Sequence, residues 1–170
     1  IKVYKEYEKI LRRNNAVDFD DLLKKPVELL MSNEDVLDKY QEKFKYILID
    51  EYQDTNEVQY KLVKLLASKY RNLFVVGDVN QSIYGFRWSN YKNILNFEKD
   101  YPEAVSITLN QNYRSTNTIL NAANSVIKNN LERREVNLFS TFGDGVKIKY
   151  LRGNDEKDEV KLVIDEINKL

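Results

Sequence analysis

The chain has 170 residues, 42% of them hydrophobic and 32% charged, which is enough to bury the core of one domain or of two small lobes. Lysine plus arginine and aspartate plus glutamate both total 27, so no net charge draws the chain to nucleic acid or to a membrane surface. The lack of cysteine and histidine excludes disulfides, thiolate or imidazole metal sites and serine–histidine catalysis, and no apolar run approaches the roughly 20 residues that span a bilayer.

The start of the chain does not have the pattern of a signal peptide. The segment Ile1-Lys-Val-Tyr-Lys-Glu6 lacks an apolar core, so we expect a cytoplasmic protein without a membrane partner. The first residue is not methionine, and the helical pattern from Asp155 to Leu170 simply stops. We therefore expect the chain to be an internal piece of a longer protein.

Helices are predicted before the first strand. Apolar residues recur at helical spacing over residues 1–14, and Asp18-Phe-Asp-Asp-Leu22 opens a second helical stretch with carboxylates in its first turn. A third helix is predicted over residues 34–42. Tyr46-Ile-Leu-Ile49 is then a continuous apolar run, which predicts a strand buried on both faces of a parallel sheet.

A strand–helix–strand unit is predicted around this run. Thr55 or Asn56 can cap a helix whose apolar residues share one stripe, and Leu73-Phe-Val-Val-Gly77 repeats the buried-strand pattern. Later elements are predicted as helices over 89–97 and about 115–129, strands over 104–109 and 146–151, a loop over 139–145 and a terminal helix. The order indicates an α/β protein with parallel strands, arranged in two lobes.

Two carboxylates stand where the first predicted strand ends. Asp50 and Glu51 would lie at the carboxyl edge of a parallel sheet, which is where such sheets bind ligands. One carboxylate can hold a hydrated Mg²⁺ while the other orients or deprotonates a water molecule. The alternative is that the pair only caps the following helix. Gln53 and Asp54 follow directly, and the next strand also ends in polar residues, so the two strand ends predict one site.

Four segments resemble motifs of the UvrD/Rep/PcrA family of superfamily 1 DNA helicases, and they occur in the family's order between about Ala16 and Lys128. They are Asp18-Phe-Asp-Asp-Leu22, Asp50-Glu-Tyr-Gln-Asp-Thr-Asn56 (motif II), Gly77-Asp-Val-Asn-Gln-Ser-Ile-Tyr-Gly-Phe-Arg87 (motif III) and Leu109-Asn-Gln-Asn-Tyr-Arg-Ser-Thr116 (motif IV). The resemblance implies RecA-like lobes of the P-loop NTPase type, and an ATP-dependent DNA helicase that couples hydrolysis to 3′-to-5′ movement on single-stranded DNA and to unwinding at duplex junctions.

The resemblance also implies roles at the nucleotide. Asp50 would help hold Mg²⁺, and Glu51 would act as the general base on the attacking water. Gln81 would sense the γ-phosphate of ATP, and Gln53 would be a further contact to the nucleotide. Without the motif context, both glutamines would be ordinary polar loop residues.

Two further roles fall in the predicted second lobe. Arg114 would act as an arginine finger that neutralises charge on the transferred phosphoryl group, and Tyr113 would stack on adenine. The alternatives are an ion-pair partner for Arg114 and a core position for Tyr113.

A short aromatic segment is the candidate DNA surface. Tyr84, Phe86 and Trp88 alternate along it beside Arg87, and exposed aromatics can stack on single-stranded bases without sequence preference. The resemblance assigns base stacking most directly to Phe86, and Arg87 would bind phosphate or brace the site. The alternative is that these rings pack in the core.

The chain departs from the family in three ways. Asn80 stands where the family usually has aspartate, and Trp88-Ser89 replaces a small Gly-Ala pair. None of the five glycines is followed by lysine and then serine or threonine, so these residues contain no P-loop to cradle the phosphates. The resemblance divides the chain into the exit of a helical insertion (1–15), the rear of the first RecA-like lobe (16–103) and the start of the second (104–170), and the chain alone is expected to be inactive.

Two other functions stay open at this point. A stand-alone module could have kept the single-stranded DNA surface of a helicase and lost the motor. A metal-dependent nuclease could be built from five carboxylates, those of Asp18, Asp20, Asp50, Glu51 and Asp54.

Overall fold

A computed structural model describes residues 1–132 and 136–170. The chain divides into two compact units, residues 1–105 and 106–170. We describe each unit by itself.

The first unit contains six helices and one parallel pair of strands within the described residues. The helices are α1 (Lys2–Arg13), α2 (Asp21–Ser32), α3 (Glu34–Lys43), α4 (Glu57–Ala67), α5 (Lys92–Leu95) and α6 (Phe97–Asp100). The strands are β1 (Ile47–Ile49) and β2 (Leu73–Val75), and single 3₁₀ turns cover Tyr52–Asp54, Val79–Gln81 and Gly85–Arg87.

The predicted strand–helix–strand unit is confirmed. Strands β1 and β2 are parallel, with Ile47 opposite Leu73 and Ile49 opposite Val75, and α4 connects them. Asn56 begins α4 with a capping box, in which its side chain accepts from the backbone of Val58 and Gln59. This reciprocal cap satisfies backbone N–H groups that the first turn of a helix leaves free.

The prediction that the first strand is buried on both faces is wrong. Side chains alternate between the two faces of a strand, and Ile47 and Ile49 are half-buried whereas Leu48 is 73% exposed and its partner Phe74 is 59% exposed. Burial on both faces requires a covering layer on each side of the sheet. Within the first unit, only one face of this two-stranded sheet is covered.

The core of the first unit has two parts. Between the helices, Val27 and Leu30 of α2 and Ala67 of α4 are buried. Beside the sheet, Phe97 meets Tyr52 edge-on at 5.8 Å and stacks on Tyr101 at 4.9 Å between ring centroids. These aromatic contacts fix the 3₁₀ turn that follows β1 against the chain after α5.

Two elements predicted near the end of this unit differ in the structure. The helix predicted over 89–97 is replaced by the two short helices α5 and α6. The strand predicted over 104–109 does not form, and its residues Val105, Ile107 and Leu109 are 85%, 78% and 83% exposed. A strand forms only beside another strand, and no strand among the described residues pairs with this segment.

The second unit is built around α7 (Asn117–Ile127), with α8 (Glu156–Ile167) near the end of the chain. The Asn117 side chain donates to Ser140 O at 3.0 Å and accepts from Ser140 N at 2.9 Å. A single parallel bridge joins Gln111 and Phe139. The loop predicted over 139–145 agrees with the structure, whereas the strand predicted over 146–151 does not form, again because the described residues offer it no partner.

The chain thus combines helices with a small parallel sheet, as the α/β prediction requires. Among the described residues, no helix is long and apolar enough to cross a bilayer.

Candidate functional site

Asp50 and Glu51 follow β1 directly, and both side chains are exposed. Asp50 turns back on the chain, because its Oδ1 accepts from the backbone N–H of Glu51 at 2.9 Å. Glu51 has a φ of 50°, in the left-handed region that residues with a Cβ rarely adopt. The chain reverses sharply at this residue, and both carboxylates stay at the carboxyl edge of the sheet.

Gln53 lies under these carboxylates and is only 1% exposed. Its Nε2 donates to Glu51 Oε2 at 2.7 Å, and its Oε1 accepts from the backbone N–H of Asp78 at 3.0 Å. Its backbone carbonyl accepts from Ser82 Oγ at 3.3 Å. Both ends of the amide are therefore used within the protein, and Gln53 connects the residues after β1 with those after β2.

Gly77 makes this connection possible. A Cβ at position 77 would lie 2.5 Å from Gln53 Oε1, which is closer than such atoms approach, and 3.2 Å from Tyr52 N, which is a tight contact. The backbone N–H of Tyr52 also donates to Val76 O at 2.9 Å. The two chain segments that leave the sheet therefore run in direct contact, and glycine is required at this point for steric reasons.

Asp78 organises the turn that follows β2. Its Oδ1 accepts from the backbone N–H of Asn80, and its Oδ2 accepts from Gln81 Nε2, both at 2.9 Å. Gln81, which was predicted to sense a phosphate, is exposed. The turn that contains Gln81 is linked to Glu51 through Gln53. Asn80 Oδ1 is buried without a hydrogen-bond partner among the described residues. An aspartate there would bury a second charge beside Asp78, and the amide avoids that cost.

The aromatic segment follows in the same unit. Tyr84 is 39% exposed, Phe86 75% and Trp88 85%, so all three rings reach solvent. The Tyr84 and Phe86 ring centroids are 5.9 Å apart, and the Arg87 guanidinium lies 5.4 Å from the first and 5.5 Å from the second. Trp88 has a φ of 65°. The alternative of core packing is thus wrong for Phe86 and Trp88, and Tyr84 is the least exposed of the three rings.

Asn93 and Thr55 hold this aromatic segment to the first strand end, and sequence reasoning gave neither a role. Buried Asn93 donates through Nδ2 to Thr55 O and Thr55 Oγ1, both at 3.1 Å, and Asn90 N donates to Thr55 O at 2.9 Å. A single asparagine within the short helix α5 has no sequence signature. Its structural role is visible only in the contact between Asn93 and Thr55, which lie 38 positions apart in the chain.

Tyr52 lies beneath the site and is fully buried. Burial, together with the nearby Tyr101, Tyr60 and Asp100, raises the pKa of the Tyr52 hydroxyl, so this group is protonated at neutral pH. The buried Tyr52 ring packs beneath Glu51 and Gln53, the residues on either side of it in the chain.

In the second unit, Tyr113 is 72% exposed and Arg114 is also exposed. Asn112 Oδ1 accepts from the backbone N–H groups of Arg114 and Ser115, both at 2.8 Å, and so fixes a turn just before α7. Within residues 1–132 and 136–170, the Arg114 guanidinium forms no ion pair, and the Tyr113 ring is not part of the core.

The described part of the chain contains no group of three or more carboxylates close enough to hold a metal ion. The five carboxylates of the nuclease alternative are all described, so the structure offers that alternative no converging metal site.

Comparisons with known proteins agree with the motif resemblance. The family described as UvrD/REP helicase N-terminal domain matches residues 1–102, and the family described as UvrD-like helicase C-terminal domain matches residues 107–170. The chain is 58% identical over 167 residues to an ATP-dependent DNA helicase PcrA of Staphylococcus aureus strain Mu50 and 54% identical over 167 residues to one of Staphylococcus epidermidis strain ATCC 12228. Each alignment covers 98% of this chain and 23% of the relative.

The buried position of Gln53 leads to a first prediction. Gln53→Leu keeps the size of the side chain but leaves the Asp78 N–H without its acceptor, so we expect the free energy of unfolding to fall by about 1–3 kcal/mol. Urea denaturation of the purified chain measures this change. The control is Gln81→Leu, which removes an exposed glutamine from the turn that Asp78 organises. Its free energy of unfolding should stay within about 0.5 kcal/mol of wild type. Equal effects of the two substitutions would contradict the role of Gln53.

Proposed function

Because this chain belongs to the UvrD/PcrA-type DNA helicases, we propose that it forms part of an ATP-dependent motor that moves 3′ to 5′ on single-stranded DNA and unwinds duplex junctions in the cytoplasm. The observation that carries the proposal is the Gln53 connection, which joins the carboxylates of one strand end to the turn that leads into the exposed aromatic segment. The two Staphylococcus relatives are named as ATP-dependent DNA helicases, which supports the same function.

At the nucleotide, Asp50 is the residue that would hold Mg²⁺. Its carboxylate is exposed and uses Oδ1 for the Glu51 backbone, Oδ2 accepts no hydrogen bond from the residues that the structure describes, and carboxylate oxygens suit this hard cation. When bound, Mg²⁺ neutralises negative charge on the phosphates of ATP. Glu51 takes the proton of the attacking water, and Gln53 holds one of its carboxylate oxygens so that the other faces the substrate.

The two glutamines have different roles in this proposal. Gln53 is a positioning residue, because its amide is buried and both its nitrogen and its oxygen are hydrogen-bonded within the protein. Gln81 is exposed and its side chain donates to Asp78, so it can exchange that bond for a phosphate oxygen. A change at the γ-phosphate would then pass through the 79–81 turn to the aromatic segment that follows it.

In the second unit, Arg114 is proposed as the arginine finger and Tyr113 as the residue that stacks on adenine. The exposure of both side chains and the free guanidinium of Arg114, as seen in the described ranges, support these roles. The Asn112 turn fixes the backbone that carries them.

The DNA surface is proposed to be formed by Tyr84, Phe86, Arg87 and Trp88. Phe86 and Trp88 present most of their ring area to solvent, where unpaired bases can stack on them. The Arg87 guanidinium lies beside two of the rings, which supports a role for it in binding the phosphate backbone between stacked bases.

We further propose RecA-like lobes, with residues 1–15 as the exit of a helical insertion, 16–103 in the first lobe and 104–170 in the second. The division into compact units after residue 105 and the two family matches, which meet between residues 102 and 107, support the boundary near 104.

A second prediction tests the motor function in a full-length context. We expect a chimera in which this chain replaces the 58% identical segment of the S. aureus relative to hydrolyse ATP in the presence of single-stranded DNA. Glu51→Gln in the chimera should lower kcat by about 10²- to 10⁴-fold, because the water loses its general base. A phosphate-release assay measures both rates.

The isolated 170-residue chain is the control for this assay. Its own residues supply no P-loop, so it should release no phosphate above background. Turnover by the isolated chain that disappears with Glu51→Gln would contradict the expected inactivity. Full activity of the chimera with Gln at position 51 would contradict the role of Glu51.

A third prediction concerns the DNA surface, which the isolated chain can test. Phe86→Ala should weaken binding of a fluorescein-labelled oligothymidine by about 1–3 kcal/mol, the usual worth of one stacked base, or about 5- to 150-fold in Kd. Phe19→Ala removes a ring that is 89% exposed elsewhere in the same unit and is the matched control. Fluorescence anisotropy at two salt concentrations separates stacking from phosphate contacts, which weaken with salt.

Loss of affinity in the Phe86 variant alone would support this surface. Equal affinity of wild type and both variants would show that single-stranded DNA does not stack on the aromatic segment.

A further inference from the structure

The turn that carries the aromatic segment has its glycine and its tryptophan where the backbone requires neither. Gly85 begins the 3₁₀ turn, and Trp88 follows its last residue, Arg87. The φ of Gly85 is not positive, and a Cβ at this position would meet no atom within 4 Å, so a larger residue would fit. Trp88 has a φ of 65° and a ψ of 17°, in the left-handed region that favours glycine and is uncommon for a bulky residue.

The Trp88 indole stands apart from the other aromatic side chains of the segment. It is 85% exposed, and no residue in the described ranges forms a ring contact, a cation–π contact or a side-chain hydrogen bond with it. The Tyr84 and Phe86 rings, by contrast, lie beside the Arg87 guanidinium. No contact seen in the described structure therefore offsets the backbone strain at Trp88, and a strained residue of this kind points to a function outside the packing of the chain.

The backbone holds Trp88 in place on both sides. Its N–H donates to Gly85 O at 3.0 Å, so the two residues lie across one hydrogen-bonded turn. Beyond it, the Asn90 N–H donates to Thr55 O at 2.9 Å and fixes the chain to the end of the first strand. Because Gly85 has no side chain, the space beside this turn stays open to a flat ring that approaches the indole.

This open space suits an aromatic ring that needs no matching polar groups. The indole supplies a large π surface, and every base can stack on an aromatic side chain because each base has a π face. The strength of stacking grows with the area of overlap, because each pair of atoms in contact adds dispersion attraction. A purine has two fused rings, like the indole, whereas a pyrimidine has one. A purine therefore overlaps the indole over the larger area.

From this geometry, we propose that Trp88 and the open side of Gly85 form a stacking position that prefers purine bases of single-stranded DNA. The proposal rests on the DNA surface proposed above and adds a preference among the bases. Phe86 stacks on bases of either kind, because its single ring is covered by a purine or a pyrimidine alike. Trp88 distinguishes between them, so the strand binds more tightly where a purine lies at this position.

The experiment uses the purified chain and two oligonucleotides, four repeats of the trinucleotide TTA and four repeats of TTC. They differ only in whether each third base is a purine, and the spacing keeps purines from stacking on one another in the free strand. Trp88 is the single tryptophan of the sequence, so tryptophan fluorescence reports on this indole alone and should be quenched when a base stacks on it. Anisotropy of a fluorescein label should give the TTA oligonucleotide a Kd about threefold lower than that of the TTC oligonucleotide.

Two variants separate Trp88 from the rest of the DNA surface. Trp88→Gly should weaken binding of the TTA oligonucleotide and lower the preference to about onefold. Because glycine fits the left-handed backbone, the midpoint of urea denaturation should not fall, which separates loss of stacking from loss of folding. The matched control is Phe86→Ala, which should weaken binding of both oligonucleotides by the same factor and keep the preference of about threefold.

The outcomes distinguish this proposal from the DNA surface on which it rests. Binding of the TTA oligonucleotide without quenching of Trp88 would overturn the stacking position and leave the rest of the surface intact. Equal affinity of the wild-type chain for the two oligonucleotides, or a preference that survives Trp88→Gly, would overturn the purine preference. If neither oligonucleotide binds the wild-type chain, the DNA surface itself is wrong, and the stacking position falls with it.

Discussion

The amide of Gln53 holds two strand ends together, and the arrangement of the candidate site depends on it. Its nitrogen donates to Glu51 and its oxygen accepts from the backbone of Asp78, so one side chain spans the segments that follow β1 and β2. The amide is almost completely buried, which strengthens both hydrogen bonds and makes either partner costly to lose. Gly77 leaves just enough space for it.

Two residues of the candidate site carry backbone strain. Among the described residues, four other than glycine have positive φ, and two of them, Glu51 and Trp88, belong to the proposed nucleotide and DNA surfaces. A left-handed conformation costs such residues about 1–2 kcal/mol. At Glu51 the strain turns the carboxylate back over Gln53, and at Trp88 it keeps the indole in solvent. The strain at these two residues therefore lowers the stability of the fold at positions that favour contact with a ligand.

The sequence predicted some parts of the fold better than others, for physical reasons. The parallel pair β1 and β2 and the cap at Asn56 follow from local patterns, namely short apolar runs and a residue that can satisfy free N–H groups. The strands expected over 104–109 and 146–151 have suitable residues, but no strand in the described part of the chain pairs with them, and pairing is a nonlocal property.

The candidate site shows the same difference between local features, which the sequence predicts, and nonlocal contacts, which it does not. Motif resemblance identified Asp50, Glu51 and the aromatic segment, because those residues are consecutive in the chain. It predicted a nucleotide contact for Gln53, whereas the structure buries this side chain between two backbone segments. It gave no role to Asn93, which reaches Thr55 across 38 positions. Side chains that connect distant segments have no local pattern to reveal them.

The central claim is that the two strand ends form one structural unit through Gln53. Amide hydrogen exchange on the native chain tests it most directly, because exchange reports the local opening of each N–H. If the account is correct, the Asp78 amide, which lies outside the strand ladder, exchanges as slowly as the Tyr52 and Val76 amides that pair the two segments. Rapid exchange at Asp78 with protection at Tyr52 and Val76 would show that the residues after β2 open independently, and would contradict it.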